Sequence, residues 1–179
     1  AHLTGLNAVK NGKKEILATI RNISKRKQTE DKLRKQKAYF QQLFDNSTEA
    51  IVLLNNDNNV IKVNNKFEEV FGYNESEVKG ENLDDLITPK SYLEEGTYYA
   101  QKVKNGNSVN DETTRITKGG KKIDVSLRGF PIKLPEGQIG IYAVYNDITE
   151  RKEREKKIEF LSFHDELTGL FNRRYFENE

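Results

Sequence analysis

The sequence predicts an α+β fold in which helices cover one face of an antiparallel sheet. Three observations lead there. Residues 123–130 alternate strictly, with Ile123, Val125 and Leu127 set against Asp124, Ser126 and Arg128, the period of a strand with one buried face. Turn signals punctuate apolar runs, as an Asn/Asp-rich stretch at 55–59 and as the pair Gly119-Gly120. Between those two hairpins lie short helical patterns broken by glycine.

Composition sets the outer bounds. The 179 residues hold one domain of ordinary size with some chain left over. A formal net charge of +2 with 32% charged residues, Lys and Arg interleaved with Asp and Glu, describes a solvated surface, so no nucleic-acid partner is expected. Without cysteine there is no disulfide framework, thiolate metal site or thiol nucleophile. No apolar run reaches the roughly 20 residues of a membrane span and no signal peptide opens the chain. A cytoplasmic location is expected, with any membrane anchor upstream in a longer parent.

The elements follow in order. Residues 1–23 read as two strands about the turn Lys10-Asn11-Gly12-Lys13, a pair too small to stand without something to pack on. Residues 24–44 read as a helix, with Glu30/Arg34 and Asp31/Lys35 as i,i+4 pairs and Leu33, Phe40, Leu43 and Phe44 on one face. Residues 51–54 and 60–63 make the first hairpin. Asn64 can cap a short helix that turns Phe67, Val70 and Phe71 inward, Gly72 can end it, and Asn74 or Ser76 can start the next. One further turn fits 82–87, before Thr88-Pro89. Ser91-Tyr92-Leu93-Glu94 has capping-box spacing for a longer helix toward Val103, with Tyr92, Tyr99 and Val103 on its inner face. Strands follow at 113–117, 123–130 and 138–147, joined at Gly119-Gly120 and at Leu134-Pro135-Glu136-Gly137.

Residues 149–164 then read as a charged helix ~24 Å long, with Glu150/Arg154 and Glu153/Lys157 as internal pairs. Its heptad seam, counted back from Ile158 and Leu161, turns polar at Arg151 and Arg154. Such a coiled coil associates weakly and changes register easily; a solvated spacer is the plainer alternative. Asp147, one turn ahead of Arg151, can bond to that side chain or to free amides at the helix start, and either bond fixes the exit angle.

The stretch Val63-Asn64-Asn65-Lys66-Phe67-Glu68-Glu69-Val70-Phe71-Gly72-Tyr73-Asn74-Glu75-Ser76-Glu77-Val78-Lys79-Gly80 resembles PAS sensor domains. So does the hexad Asp147-Ile148-Thr149-Glu150-Arg151-Lys152, which is similar to that family's strand-to-helix exit. Lys66 departs from the family pattern, which usually has a small residue there. The resemblance covers about residues 40–148 and implies a five-stranded antiparallel sheet flanked by long N- and C-terminal helices, with a pocket between sheet and helices. Shifting the chain by 125 residues superposes Gly12, Ile16, Ala18, Ile23, Arg26 and Lys27 on Gly137, Ile141, Ala143, Ile148, Arg151 and Lys152. Residues 1–23 are thus read as tail strands of a preceding PAS domain, residues 24–44 as a linker helix, 45–148 as the PAS domain and 149–164 as a signalling helix. Chance likeness of two strand-helix junctions is the alternative.

The resemblance makes Phe67, Phe71, Tyr73, Tyr92, Tyr99, Ile123, Val125 and Ile141 candidates for lining a pocket that takes an unidentified small molecule; the alternative is that they are simply core. No cofactor or metal site is evident. Flavin photosensors of the family need a cysteine, and its haem sensors commonly use a histidine on the long helix, whereas His2 and His164 lie outside the predicted core. Asp147, Ile148, Thr149 and Arg151 are the candidate signal-transmission residues.

The octad Leu167-Thr168-Gly169-Leu170-Phe171-Asn172-Arg173-Arg174, preceded by Asp165, resembles the opening of the catalytic domain of the diguanylate cyclase (GGDEF) family. That implies that residues 165–179 are the truncated start of such a domain, with Asp165, Asn172, Arg173 and Arg174 in its first turn and helix. The asparagine matching Asn172 lies near the guanine base in that family. The Gly-Gly-acidic loop that binds metal and phosphate is not in this chain, so the expectation is a non-catalytic fragment of a cyclase that makes cyclic di-GMP. A competing reading takes Ser162-Phe163-His164-Asp165-Glu166-Leu167-Thr168 as a histidine-kinase phosphoacceptor box with His164 as nucleophile. That box has Arg before its Thr and Pro after, and here the run is Leu167-Thr168-Gly169. The expected role is a sensory module that forms a homodimer through its helical linkers; the alternative is a ligand-free dimerisation and spacing module.

Overall fold

The computed structural model describes residues 2–10, 13–133, 137, 139–164, 169–172 and 175. The chain divides into two compact units, residues 1–44 and 45–179. In the first, β1 (His2–Lys10) and β2 (Lys13–Arg21) pair antiparallel with Leu6 opposite Leu17. Helix α1 (Ser24–Asp45) follows, its first amide held where Ser24 N donates to Asn22 Oδ1 at 2.9 Å. The ion pairs on α1 are Arg26 with Glu30 and Arg34 with Asp31, in place of the predicted Glu30/Arg34 and Asp31/Lys35. Arg34 turns to Asp31 three residues before it, and Glu30 takes Arg26 four residues before it instead.

The second unit is built on a five-stranded sheet of order β4-β3-β7-β6-β5, antiparallel throughout. Its strands are β3 (Ala50–Leu54), β4 (Val60–Val63), β5 (Val109–Ile116), β6 (Lys122–Lys133) and β7 (Ile139–Asp147). Strands β5 and β6 are longer than the sequence predicted. Their outer stretches, Val109-Asn110-Asp111-Glu112 and Pro131-Ile132-Lys133, lack strict alternation and are held by ladder pairing, Val109 opposite Gly129 and Lys133 opposite Ile139.

Polar side chains place the turns. Asn55 Oδ1 accepts from Asp57 N (2.8 Å) and Asn59 N (2.9 Å), and Asn58 takes the left-handed backbone at φ 66° that an asparagine tolerates. Helix α2 (Asn65–Phe71) starts at Asn64, whose Oδ1 accepts from Phe67 N at 2.9 Å, and ends at Gly72 with φ 77°. A capping box between Asn74 and Glu77 opens α3 (Glu75–Val78), and Asn82 caps α4 (Leu83–Ile87). The capping box predicted at Ser91 is absent. Pro89 instead starts a 3-10 turn, Lys90–Tyr92, with Tyr92 N donating to Pro89 O at 2.8 Å. Ser91 lies inside that turn, and α5 (Leu93–Lys104) begins with no side-chain cap.

Helices α2 to α5 cover the inward face of the sheet. Val52, Leu54, Phe67, Phe71, Ile87, Val103, Val125 and Leu127 are buried in one cluster. Each such side chain contributes about 1.5–3 kcal/mol relative to exposure. Phe71 packs edge-on against Tyr145 of β7, the centroids 5.5 Å apart, which ties α2 to the strand that leaves the domain. That strand runs into α6 (Thr149–Phe163). Among the described residues no helix is long and apolar enough to cross a membrane.

Candidate functional site

Strand alternation on β5 sends Glu112 and Thr114 outward and Thr113 and Arg115 inward, so a guanidinium enters the core at a position that a regular strand would give to an apolar side chain. Arg115 is 1% exposed. Its Nη1 donates to Thr113 Oγ1 (2.9 Å), to Thr114 O (2.9 Å) and to Glu95 Oε1 (3.2 Å) on α5. Thr113 Oγ1 donates in turn to the same Glu95 oxygen at 2.5 Å. The Nε of Arg115 is buried without a hydrogen-bond partner among the described residues.

Arg115 lines a cavity of about 30 Å³ between sheet and helices. Asn58, Asp84, Tyr99 and Tyr145 supply the rest of its polar wall; Leu54, Val103, Leu127, Ile141 and Ala143 make the aliphatic wall. Asp84 approaches α5 closely because Gly96 has no side chain there: a Cβ on Gly96 would lie 2.6 Å from Asp84 Oδ1. The Asp84 carboxylate accepts from Thr88 Oγ1 (3.0 Å) and from Asn58 Nδ2 (2.9 Å). Desolvation nevertheless outweighs those bonds and holds its pKa above the ordinary carboxylate value. Burial pushes the Tyr145 phenol up to about 12, against the opposing pull of Arg115. Tyr99 is also raised, by desolvation and then by its hydroxyl donating to Asp111 Oδ2 at 2.7 Å.

The predicted pocket residues separate. Tyr99 and Ile141 line the cavity. Phe67, Phe71, Ile123 and Val125 are buried in the hydrophobic cluster. Tyr73 is half-buried, its hydroxyl donating to Leu86 O at 3.2 Å, and Tyr92 is half-buried in the turn before α5. Arg115, Asp84 and Asn58 escaped sequence reading. A lone Arg within Thr113-Thr114-Arg115-Ile116 reads as the solvated face of a strand, and only strand register reveals that it points inward. A cavity of 30 Å³ lies far below the roughly 300 Å³ of a drug-sized ligand site. It accommodates a group of a few heavy atoms and no ring system. Among the described residues no cluster of His, Asp or Glu could hold a metal ion.

A second construction sits at the exit. Ile148 is 6% exposed, and its amide donates to Asp124 O at 2.9 Å. Thr149 Oγ1 accepts from Asp124 N (3.0 Å), while Thr149 N donates to Asp147 Oδ1 (2.9 Å). Asp147 therefore takes the backbone amide and leaves Arg151 free to reach elsewhere. Arg151 reaches Glu112 on β5 and Glu155 one turn on, and Lys152 Nζ lies 3.3 Å from the same Glu112. The predicted Glu150/Arg154 pair is replaced by Arg154 Nε donating to Glu150 O at 3.2 Å. Glu112, gripped by two cations, is held below the ordinary carboxylate range.

At its far end α6 stops at His164, whose ring stacks on Phe160 (4.0 Å) and meets Phe171 (4.5 Å). Asn172 Nδ2 donates to Ser162 O at 3.0 Å and so satisfies a terminal carbonyl of the helix. Gly169 has φ 67°, and Leu170 is exposed. Asp165 and, within the octad, Leu167, Thr168, Arg173 and Arg174 lie outside the described residues.

Comparison with known proteins agrees with this geometry. The family model described as PAS domain matches residues 48–150. Sporulation kinase E of Bacillus subtilis (strain 168) is 27% identical over 144 residues, 79% of this chain and 19% of the kinase. Signaling protein YkoW of the same organism is 24% identical over 148 residues, 81% of this chain and 17% of that protein. The chain thus spans less than a fifth of the length of these curated relatives. The crystal structure of the PAS domain of an HTR-like protein from Haloarcula marismortui superposes with a TM-score of 0.60 at 24% identity, over 68% of this chain and 99% of that one, and shares the fold. A family match over more than half of the chain, on a five-stranded antiparallel sheet with helices on its inner face, makes this chain a member of the PAS domain family.

Proposed function

We propose that the chain is a sensory input module that registers a small molecule or a partner and hands the state through α6 to an output domain. The observation that supports this reading is the exit. Strand β7 passes into α6 through the buried Ile148, and the first turn of α6 is tied to β6 by Asp124 and to β5 by Glu112. Strand β5 also carries Arg115 in the cavity wall. A displacement of that strand has a direct mechanical route to the helix.

For the output we favour a cytoplasmic diguanylate cyclase that makes cyclic di-GMP, on the resemblance of residues 165–174 to the start of that catalytic domain. Residues 1–23 fit the tail of a preceding PAS domain, and the exposed Leu33, Tyr39, Phe40 and Leu43 on α1 and Ile158 and Leu161 on α6 suit pairing with a second copy. A histidine kinase is the second reading, favoured by the relative named sporulation kinase E. Against His164 as its nucleophile stands the position of that ring, past the last helical turn between two aromatic rings, with Nδ1 3.0 Å from Phe160 O. A spacing module without ligand is favoured by the small volume of the cavity.

The test is to assay the longer parent protein with GTP and with ATP, native and as Thr149→Val. Cyclic di-GMP formed from GTP, at a rate that the exit variant changes, is the expected result. Phosphohistidine formed from ATP would replace the cyclase with the kinase, and an output indifferent to Thr149→Val would remove the sensory role.

A further inference from the structure

The cavity beside Arg115 has a buried group that has no hydrogen-bond partner among the described residues. Its acid, Asp84, already accepts from Thr88 and Asn58. The orphan is the donor Nε of Arg115, buried in a guanidinium whose Nη1 is fully engaged. A buried donor left unpaired costs about 1–3 kcal/mol, and a planar anionic acceptor is the group that best matches a guanidinium edge. The opposite wall, from Val103, Leu127, Ile141 and Ala143, is aliphatic. A complementary occupant is therefore anionic at one end, apolar at the other, and small.

We infer that this cavity binds a short-chain aliphatic carboxylate of the size of acetate or propionate, its carboxylate on Arg115 and its hydrocarbon tail against Val103, Leu127 and Ile141. The inference rests on the sensory reading above and gives its ligand a chemical class. Asp84, the nearest like charge in the cavity wall, is shifted toward its neutral form by burial, which lessens its repulsion of such an anion. An anion on Arg115 competes with Glu95 for the guanidinium. Arg115 and Glu112 lie three residues apart on β5, facing opposite sides of the sheet, so that competition acts on the strand that grips Arg151 and Lys152.

The experiment titrates the chain with acetate and propionate, and with propionamide as the neutral isostere. It follows the methyl resonances of Val103, Leu127 and Ile141, the Arg115 Nε–H resonance, and amide exchange at Ile148 and Thr149. Saturable shifts are expected with propionate, and propionamide is expected to bind at least about tenfold more weakly, having lost the charge-assisted bond. Arg115→Gln should abolish the shifts. Should that variant fail to fold, Gly129→Ala keeps Arg115 and narrows the cavity, since its Cβ would lie 3.3 Å from Val103 Cγ2, and should weaken binding. Equal binding of propionamide, or no saturable shift up to about 10 mM propionate, overturns the inference. Saturable binding that leaves exchange at Ile148 and Thr149 unchanged supports the site and sinks the sensory reading instead. An output that responds to Thr149→Val in a protein that binds no carboxylate does the reverse.

Discussion

Asp124 and Thr149 close the junction between sheet and exit helix from both chain directions. The Asp124 amide donates to Thr149 Oγ1 at 3.0 Å, and the Asp124 carbonyl accepts from Ile148, the residue just before it, at 2.9 Å. A side-chain oxygen thus extends the ladder between β6 and β7 by one rung beyond Asp147, where the backbone has already begun to turn helical. Replacing Thr149 with Val keeps the shape and deletes that rung. The expected cost is about 1 kcal/mol, read by chemical denaturation, with faster amide exchange at Asp124 and in the first turn of α6 and no change in β3.

The pairing of Glu112 with Arg151 and Lys152 sets a pH dependence. Its carboxyl is held below the ordinary range by hydrogen bonds from Arg151 and then Lys152. A depressed folded-state pKa contributes stability above the unfolded value, and that contribution is lost as pH falls through the folded value. Docking of α6 on β5 should therefore be constant between about pH 5 and 7 and loosen only in more acid solution. Carbon-detected NMR titration of the Glu112 carboxyl checks this: a midpoint at or above the ordinary glutamate value would contradict the ion-pair account.

Asn64 is a densely connected polar group of the core. It is 1% exposed; its Oδ1 accepts from Ile51 N (2.8 Å) and Phe67 N (2.9 Å), and its Nδ2 donates to Glu49 O (2.9 Å). Asn64→Ala should cost on the order of 2–4 kcal/mol, because it strands two buried amides and a carbonyl. Asn64→Asp keeps both accepted bonds but turns an oxygen toward Glu49 O, so it too should destabilise. A denaturation midpoint for Asn64→Ala equal to that of the native chain would show that Asn64 is only a replaceable cap.

Gly96→Ala offers a test in which two effects have opposite sign. Helix propensity alone would favour alanine by about 1 kcal/mol. The new Cβ, however, would lie 2.6 Å from Asp84 Oδ1, and overpacking of this kind costs about 1–3 kcal/mol. Net destabilisation is expected in the native background. With Asp84→Ala already present, the same substitution should become neutral or stabilising, which a double-mutant cycle measures directly. Additive effects would mean that Gly96 is not there for Asp84.

Sheet and turns were legible because local chemistry decides them. Asn64, Gly72, Asn74 and Gly120 do in the structure what their side chains, or lack of one, dictate in the sequence. The start of α5 was misread because a buried Pro89 set up a competing turn before Ser91 could act as a cap. Strand length was underestimated wherever pairing, rather than alternation, holds the ladder, as at Val109 opposite Gly129. The cavity was only half legible. Tyr99 and Ile141 follow from an inner helix face and a strand, but Arg115, Asp84 and Asn58 come together from three separate elements 57 residues apart at most, and no spacing rule connects them. The partner of Arg151 was hidden for the same reason: Glu155 is local in sequence, and Glu112 is not.

Rigid continuity from β7 into α6 is the premise of the proposed signal transmission, and hydrogen exchange at the Ile148 amide tests it most directly. That amide donates to Asp124 O at 2.9 Å, and the Ile148 side chain is buried. Its exchange should be as slow as that of Val144 in the middle of β7 and should slow or quicken together with Lys152, whose amide donates to Ile148 O. Fast exchange at Ile148 between a protected strand and a protected helix would reveal a swivel at the junction and contradict the account.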